Sequence, residues 1–170
     1  VAAVILAGYL IYDHYKDKKV LVNFSKDTKE VKKELKEVNQ SQQKLDCLID
    51  LLHQGKINKE ELMQKVNELS NQLKQTQRHL TKLEGKAEKH DSIPSKAVKF
   101  CPSERTRLNQ LDHDLHSMAA KAVIQNEVGK KPLEQLVEDY KNLSLKAVLS
   151  SNELYQQKVT QQAIEEHCRT

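Results

Sequence analysis

His113 and His116, three residues apart and flanked by Asp112 and Asp114, are the strongest candidate in the chain for metal chemistry. On a helix they stand on adjacent turns and could reach one ion. A zinc site takes three or four protein ligands, however, and no third ligand lies nearby, so the segment reads as a solvated helix face and no metal is assigned. Cys101 has Lys99 and a helix start close to it, two influences that lower a thiol pKa. No histidine or acid is placed by sequence to complete a nucleophilic site around it. The carboxylates alternate with lysines in runs such as Lys29-Glu30-Val31-Lys32-Lys33-Glu34-Leu35-Lys36-Glu37, the pattern of an exposed helix face laced with intrahelical ion pairs. The sequence contains no glycine-rich phosphate loop, paired-histidine protease helix, Cys-x-x-Cys pair or serine nucleophile elbow. These readings point away from an enzyme and call for no cofactor.

The elements that would have to position any site are helices. Among 170 residues there are four Gly, three Pro, two Phe, five Tyr and no Trp, while Lys, Glu, Gln and Leu dominate. That is the composition of long helices without a thick core, and the expected fold class is all-α. The net charge of +4 comes from 28 basic residues interleaved with 24 acidic ones. No concentrated basic face is available for a phosphate backbone, so nucleic acid is not expected as a partner.

The first twelve residues, Val1 to Tyr12, carry no charge. They read as the truncated end of a transmembrane segment, because a full span takes about 20 apolar residues. Asp13 to Lys19 follows as an interfacial flank whose Tyr and Lys side chains suit the headgroup level. Residues 1–19 are thus expected to be a membrane anchor, with the orientation left open.

From Val31 the apolar residues fall on a heptad seam of Val31, Leu35, Val38, Leu45, Ile49 and Leu52, with Gln42 as its one polar position. The seam stops at Gly55, which can take the left-handed conformation that ends a helix. Asn58 followed by Glu61 resembles a capping box that opens another. A second seam runs Leu62, Val66, Leu69, Leu73, Thr76, Leu80 and Leu83, out of phase with the first. An antiparallel hairpin turning at Gly55 is the simpler solution and a kinked continuous helix the alternative, giving a heptad-rich hairpin or coiled coil over residues 20–84. The narrow seams either close the hairpin on itself or join copies, and a homo-oligomer is expected.

Residues 85–102 lose the periodicity and read as a linker. Ser103 is the expected N-cap of a helix buried along Leu108, Leu111, Leu115, Met118 and Ala122 and ending near Val128-Gly129. Pro132 suits the first turn of a last helix. Its stripe includes Leu133, Leu136, Val137, Tyr140, Leu143, Ala147 and Val148, then less regularly Leu154, Val159 and Ile164, with a bend or break at Ser150-Ser151-Asn152. Residues 103–170 therefore form a second hairpin. Outside the cytoplasm, Cys101 and Cys168 are the natural disulfide candidates, leaving Cys47 in a helix. Folding the last helix back at about 1.5 Å per residue leaves the two cysteines about 8 Å out of step, so a bend or an intermolecular bond is needed. In a reducing compartment all three are free thiols.

Two resemblances follow. The segment Leu48 to Leu69, with its turn Gln54-Gly55-Lys56-Ile57-Asn58-Lys59-Glu60-Glu61, resembles the SHOCT-type helical hairpin found attached to membrane or oligomerising proteins. The whole arrangement resembles the inner-membrane spanins of tailed phages. His14-Tyr15-Lys16-Asp17 follows the apolar run, Lys96-Ala97-Val98 precedes Cys101, and Cys168-Arg169 stands near the end. The second resemblance implies a membrane-anchored coiled-coil body in the periplasm, disulfides, and non-enzymatic host cell lysis. An outer-membrane lipoprotein would be the partner, contacted by the C-terminal region through Leu154, Val159 and Ile164. The competing expectation is a static membrane-anchored scaffold or adaptor, such as a component of a secretion machine or an organelle tether.

Overall fold

The structure, a computed structural model, describes residues 2–169. In chain order the helices are α1 (Ala2–Val38), α2 (Ser41–His53), α3 (Lys59–Lys89), α4 (Phe100–Gly129), α5 (Leu133–Ser144) and α6 (Ser151–Arg169), with a 3-10 turn at Ser95–Val98. The fold is all-α, and there is no strand among the described residues. Two compact units interleave in sequence: Val1–Ser41 with Leu69–Asp112, and Gln42–Glu68 with His113–Thr170. This division differs from the successive segments 20–84 and 103–170 read from periodicity, because α3 and α4 each contribute residues to both units.

The α2–α3 turn forms as its residues require. Gly55 has φ +74°, and two bonds complete a Schellman motif: Lys56 N–H donates to Leu51 O at 2.9 Å and Gly55 N–H to Leu52 O at 3.1 Å. Asn58 Oδ1 then accepts Glu61 N–H at 2.8 Å and caps α3. From there every residue of the second seam is buried, from Leu62 to Leu83, with Thr76 2% exposed.

In the first unit α1, α3 and α4 form a three-helix bundle. Glu34 accepts from His79 Nδ1 at 2.8 Å and Asp27 pairs with Lys86, so α1 and α3 run antiparallel. Arg105 pairs with Glu84 at 2.9 Å and Gln77 donates to Asn109 at 2.6 Å, so α4 returns antiparallel to α3. Phe24, Val31, Leu35 and Val38 of α1 are buried with Leu73, Leu80, Leu83, Ile93 and Leu108. The second unit buries Leu45, Leu52, Leu62, Val66, Leu115, Ala119, Leu136 and Leu143.

Several expectations are corrected. The first seam is not continuous, because α1 stops at Val38 and a turn at Asn39-Gln40 shifts the register. Ser41 is fully buried and Gln42 exposed, while Ile49 is only half-buried. The linker is shorter than 85–102: α3 continues through Gly85 to Lys89, and Ile93 is buried after it. Ser103 is not the N-cap of α4. The helix begins at Phe100, and Ser103 Oγ donates back to Phe100 O at 2.9 Å. Pro132 lies just before α5 with extended backbone, and its carbonyl accepts Leu136 N–H at 3.1 Å. The last helix breaks into α5 and α6 between Ser144 and Ser151, which leaves Ala147 and Val148 of the expected stripe exposed.

Candidate functional site

The start of α1 is the feature the bundle does not use. Successive residues of an α-helix point about 100° apart, so Val4, Ile5 and Leu6 face three different directions. They are 75%, 68% and 62% exposed, and Tyr9, Leu10, Ile11, Tyr12 and Tyr15 are exposed as well. A helix apolar on every side belongs in an apolar surrounding. Here the segment projects past Phe24, the first buried side chain of α1. Charge arrives at Asp13, followed by Lys16, Asp17, Lys18 and Lys19. No described helix is long and apolar enough to cross a membrane, so the transmembrane segment expected from the sequence is not found. Residues 2–12 cover about 16 Å at helical rise, roughly half of a hydrocarbon core.

The expected partner residues do not share one surface. Leu154 is 54% exposed and lines a groove between α4 and α6, whereas Val159 and Ile164 are half-buried. The groove is shaped by Tyr155. Its hydroxyl accepts from Gln125 Nε2 at 2.6 Å, and Lys121 Nζ sits 5.4 Å from its ring centre. His113 and His116 line the same groove, and no group of three potential metal ligands occurs among the described residues. The signal for the α6 start is present in the sequence as Ser150-x-x-Glu153, a capping box. Ser150 Oγ accepts Glu153 N–H at 3.2 Å, and Glu153 Oε1 accepts Ser150 N–H at 3.3 Å. Bonds from Lys146 first, then from Ser150, hold the Glu153 carboxyl below its ordinary range.

All three cysteines are free thiols in the structure, the candidate pair Cys101 and Cys168 included. Cys101 is fully buried near the start of α4, whereas Cys168 is exposed on α6. Nor does the helix start activate Cys101. Burial pushes its thiol up to about 11, and the Glu84 carboxylate adds to the rise against the opposing pull of Arg105. A thiol so protonated at neutral pH is a poor nucleophile.

With that geometry established, comparison with known families, curated proteins and solved structures finds no match for this chain.

Proposed function

We propose that this protein is a non-enzymatic, membrane-attached helical scaffold of the cell envelope. The start of α1 lies in lipid, Tyr12, Tyr15 and the following lysines sit among the headgroups, and the helical units outside hold a protein partner. One observation carries the reading: apolar side chains from Val4 to Tyr12 are exposed on every face of α1. A protein groove would cover one side of such a helix, whereas lipid covers all of them. Aromatic residues followed by lysines are the usual sequence of groups across a membrane interface. Bridging to an outer-membrane lipoprotein, as in a lytic spanin, is the more specific form of the reading and rests on the sequence resemblance.

Flotation with phospholipid vesicles tests attachment. The intact chain is expected to float with the vesicles, and Ile5→Lys/Leu10→Lys to stay at the bottom. A lysine deep in the hydrocarbon costs about 2.5–3.5 kcal/mol, so two should reduce partitioning by more than about a hundredfold. A wild-type chain that does not float sinks the reading. Co-expression with a candidate lipoprotein separates the two forms: cell lysis supports bridging, and a stable non-toxic complex supports the scaffold.

A further inference from the structure

The second unit carries two exposed surfaces of complementary chemistry. One is the groove between α4 and α6, of about 660 Å³, whose walls include His113, His116 and Lys121 on one side and Leu154, Tyr155 and Lys158 on the other. No carboxylate lines it. Its two lysines bracket an apolar strip made by Leu154 and the Tyr155 ring, and the contacts of Tyr155 with Gln125 and Lys121 hold that wall in place. The other surface is the outer face of α5. Leu136 and Leu143 turn inward, while Leu133 and Val137, one helical turn apart, are 39% and 50% exposed. Glu134 and Glu138 stand beside them on the same exposed side. The α5 face is thus an apolar pair with two carboxylates along one edge and the exposed Lys141 at its far end, and the groove an apolar strip with two ammonium groups and no carboxylate.

We infer that α5 of one copy docks in the α4–α6 groove of a second copy, with Leu133 and Val137 against Leu154 and Tyr155, and Glu134 and Glu138 toward Lys121 and Lys158. Several features favour a second copy as occupant. The chain itself supplies the matching surface, both surfaces are open at once, and their charges are opposite. An amphipathic helix laid into a groove is read at one-turn spacing, which is the spacing of the Leu133–Val137 and Glu134–Glu138 pairs. Asp139 takes no part, because Lys131 bonds it at 2.7 Å within its own copy. When each α5 enters the other copy's groove, the contact is self-complementary and closes at a dimer. The docking is independent of lipid attachment, so a chain that fails to float can still pair, and the reverse.

Sedimentation velocity of the full chain in mild detergent, which covers the apolar start of α1, tests the inference with two charge reversals. Lys121→Glu/Lys158→Glu makes the groove acidic against an acidic α5. Glu134→Lys/Glu138→Lys makes α5 basic against a basic groove. Each alone is expected to raise the dissociation constant of the dimer more than about tenfold, with helical content unchanged by circular dichroism. An equimolar mixture of the two variants pairs acidic faces with basic ones and is expected to recover association, as is the chain carrying all four substitutions. A wild-type chain that is monomeric at micromolar concentrations overturns the inference. So does association that is indifferent to the reversals, or a mixture that stays monomeric. The mixture reads charge pairing even if the fourfold variant folds poorly.

Discussion

Gly55 occupies the left-handed region at φ +74°, and nothing stands within 4 Å of a Cβ added there. The demand is therefore purely on the backbone. Gly55→Ala is expected to cost about 1–2 kcal/mol, and Asn58→Ala about 1 kcal/mol through loss of the α3 cap; both are read as lower urea midpoints. These two residues were legible in the sequence because their roles are local, fixed by the geometry of the turn. Cys101 was not. Its neighbours in sequence suggested activation, whereas burial and Glu84, brought across from α3, produce the opposite. A thiol reagent at pH 8 is expected to modify Cys47 and Cys168 rapidly and Cys101 only on unfolding. The same shift sets an alkaline limit. The folded thiol keeps its proton up to about 11, against 9.0 for its ordinary value, so its contribution to stability is whole below pH 9 and lost as pH rises through 11. Cys101→Ser should also lose stability to hydroxyl burial, so the alkaline arm is best read in Cys101→Ala, whose urea midpoint should fall less steeply above pH 9 than that of the wild type.

At the scale of elements, the heptad pattern located α3 accurately, since the whole second seam is buried. It misjudged the first seam, where Asn39-Gln40 ends α1 and hands the interior position from Gln42 to Ser41. Two equally spaced readings of an apolar stripe differ only by what packs against them, and that partner is not in the local sequence. Ser41 Oγ is buried without a hydrogen-bond partner. Ser41→Ala should therefore be neutral to stabilising, by up to about 1 kcal/mol in urea unfolding, whereas a hydrogen-bonded serine there would give a loss. The α5–α6 connection behaves differently. Glu153, bonded first by Lys146 and then by Ser150 across this connection, is held below its ordinary carboxylate value, as is Asp139 near the start of α5, bonded first by Lys131 and then by Gln135. Such groups stabilise the fold above their unfolded values and cease to do so as pH falls below them. Amide protection at residues 145–150, corrected for the intrinsic slowing of exchange in acid, is expected to fall below about pH 4, ahead of the rest of the second unit, and unchanged protection there would show that the Glu153 bonds do not hold the connection.

At the scale of the whole molecule, composition and periodicity determined that the described residues fold as all-α, because a chain rich in Leu, Lys, Glu and Gln, with few helix-breaking glycines and prolines, favours helix. They also marked the apolar start and the hairpin at Gly55, each dictated by contiguous residues. Which segments share a core was decided only in three dimensions. The units join Val1–Ser41 with Leu69–Asp112, and Gln42–Glu68 with His113–Thr170, pairings that cross the apparent boundaries in the sequence. A narrow apolar stripe states that a helix must be covered without stating by which other helix. The same holds for the surfaces. That Val4 to Tyr12 are apolar is plain from the letters, but that no described element covers them follows from where the bundle ends. The groove between α4 and α6 and the acidic face of α5 likewise exist only once α5 and α6 break apart at residues 145–150 and turn Leu136 and Leu143 inward, leaving Leu133, Val137 and Leu154 exposed.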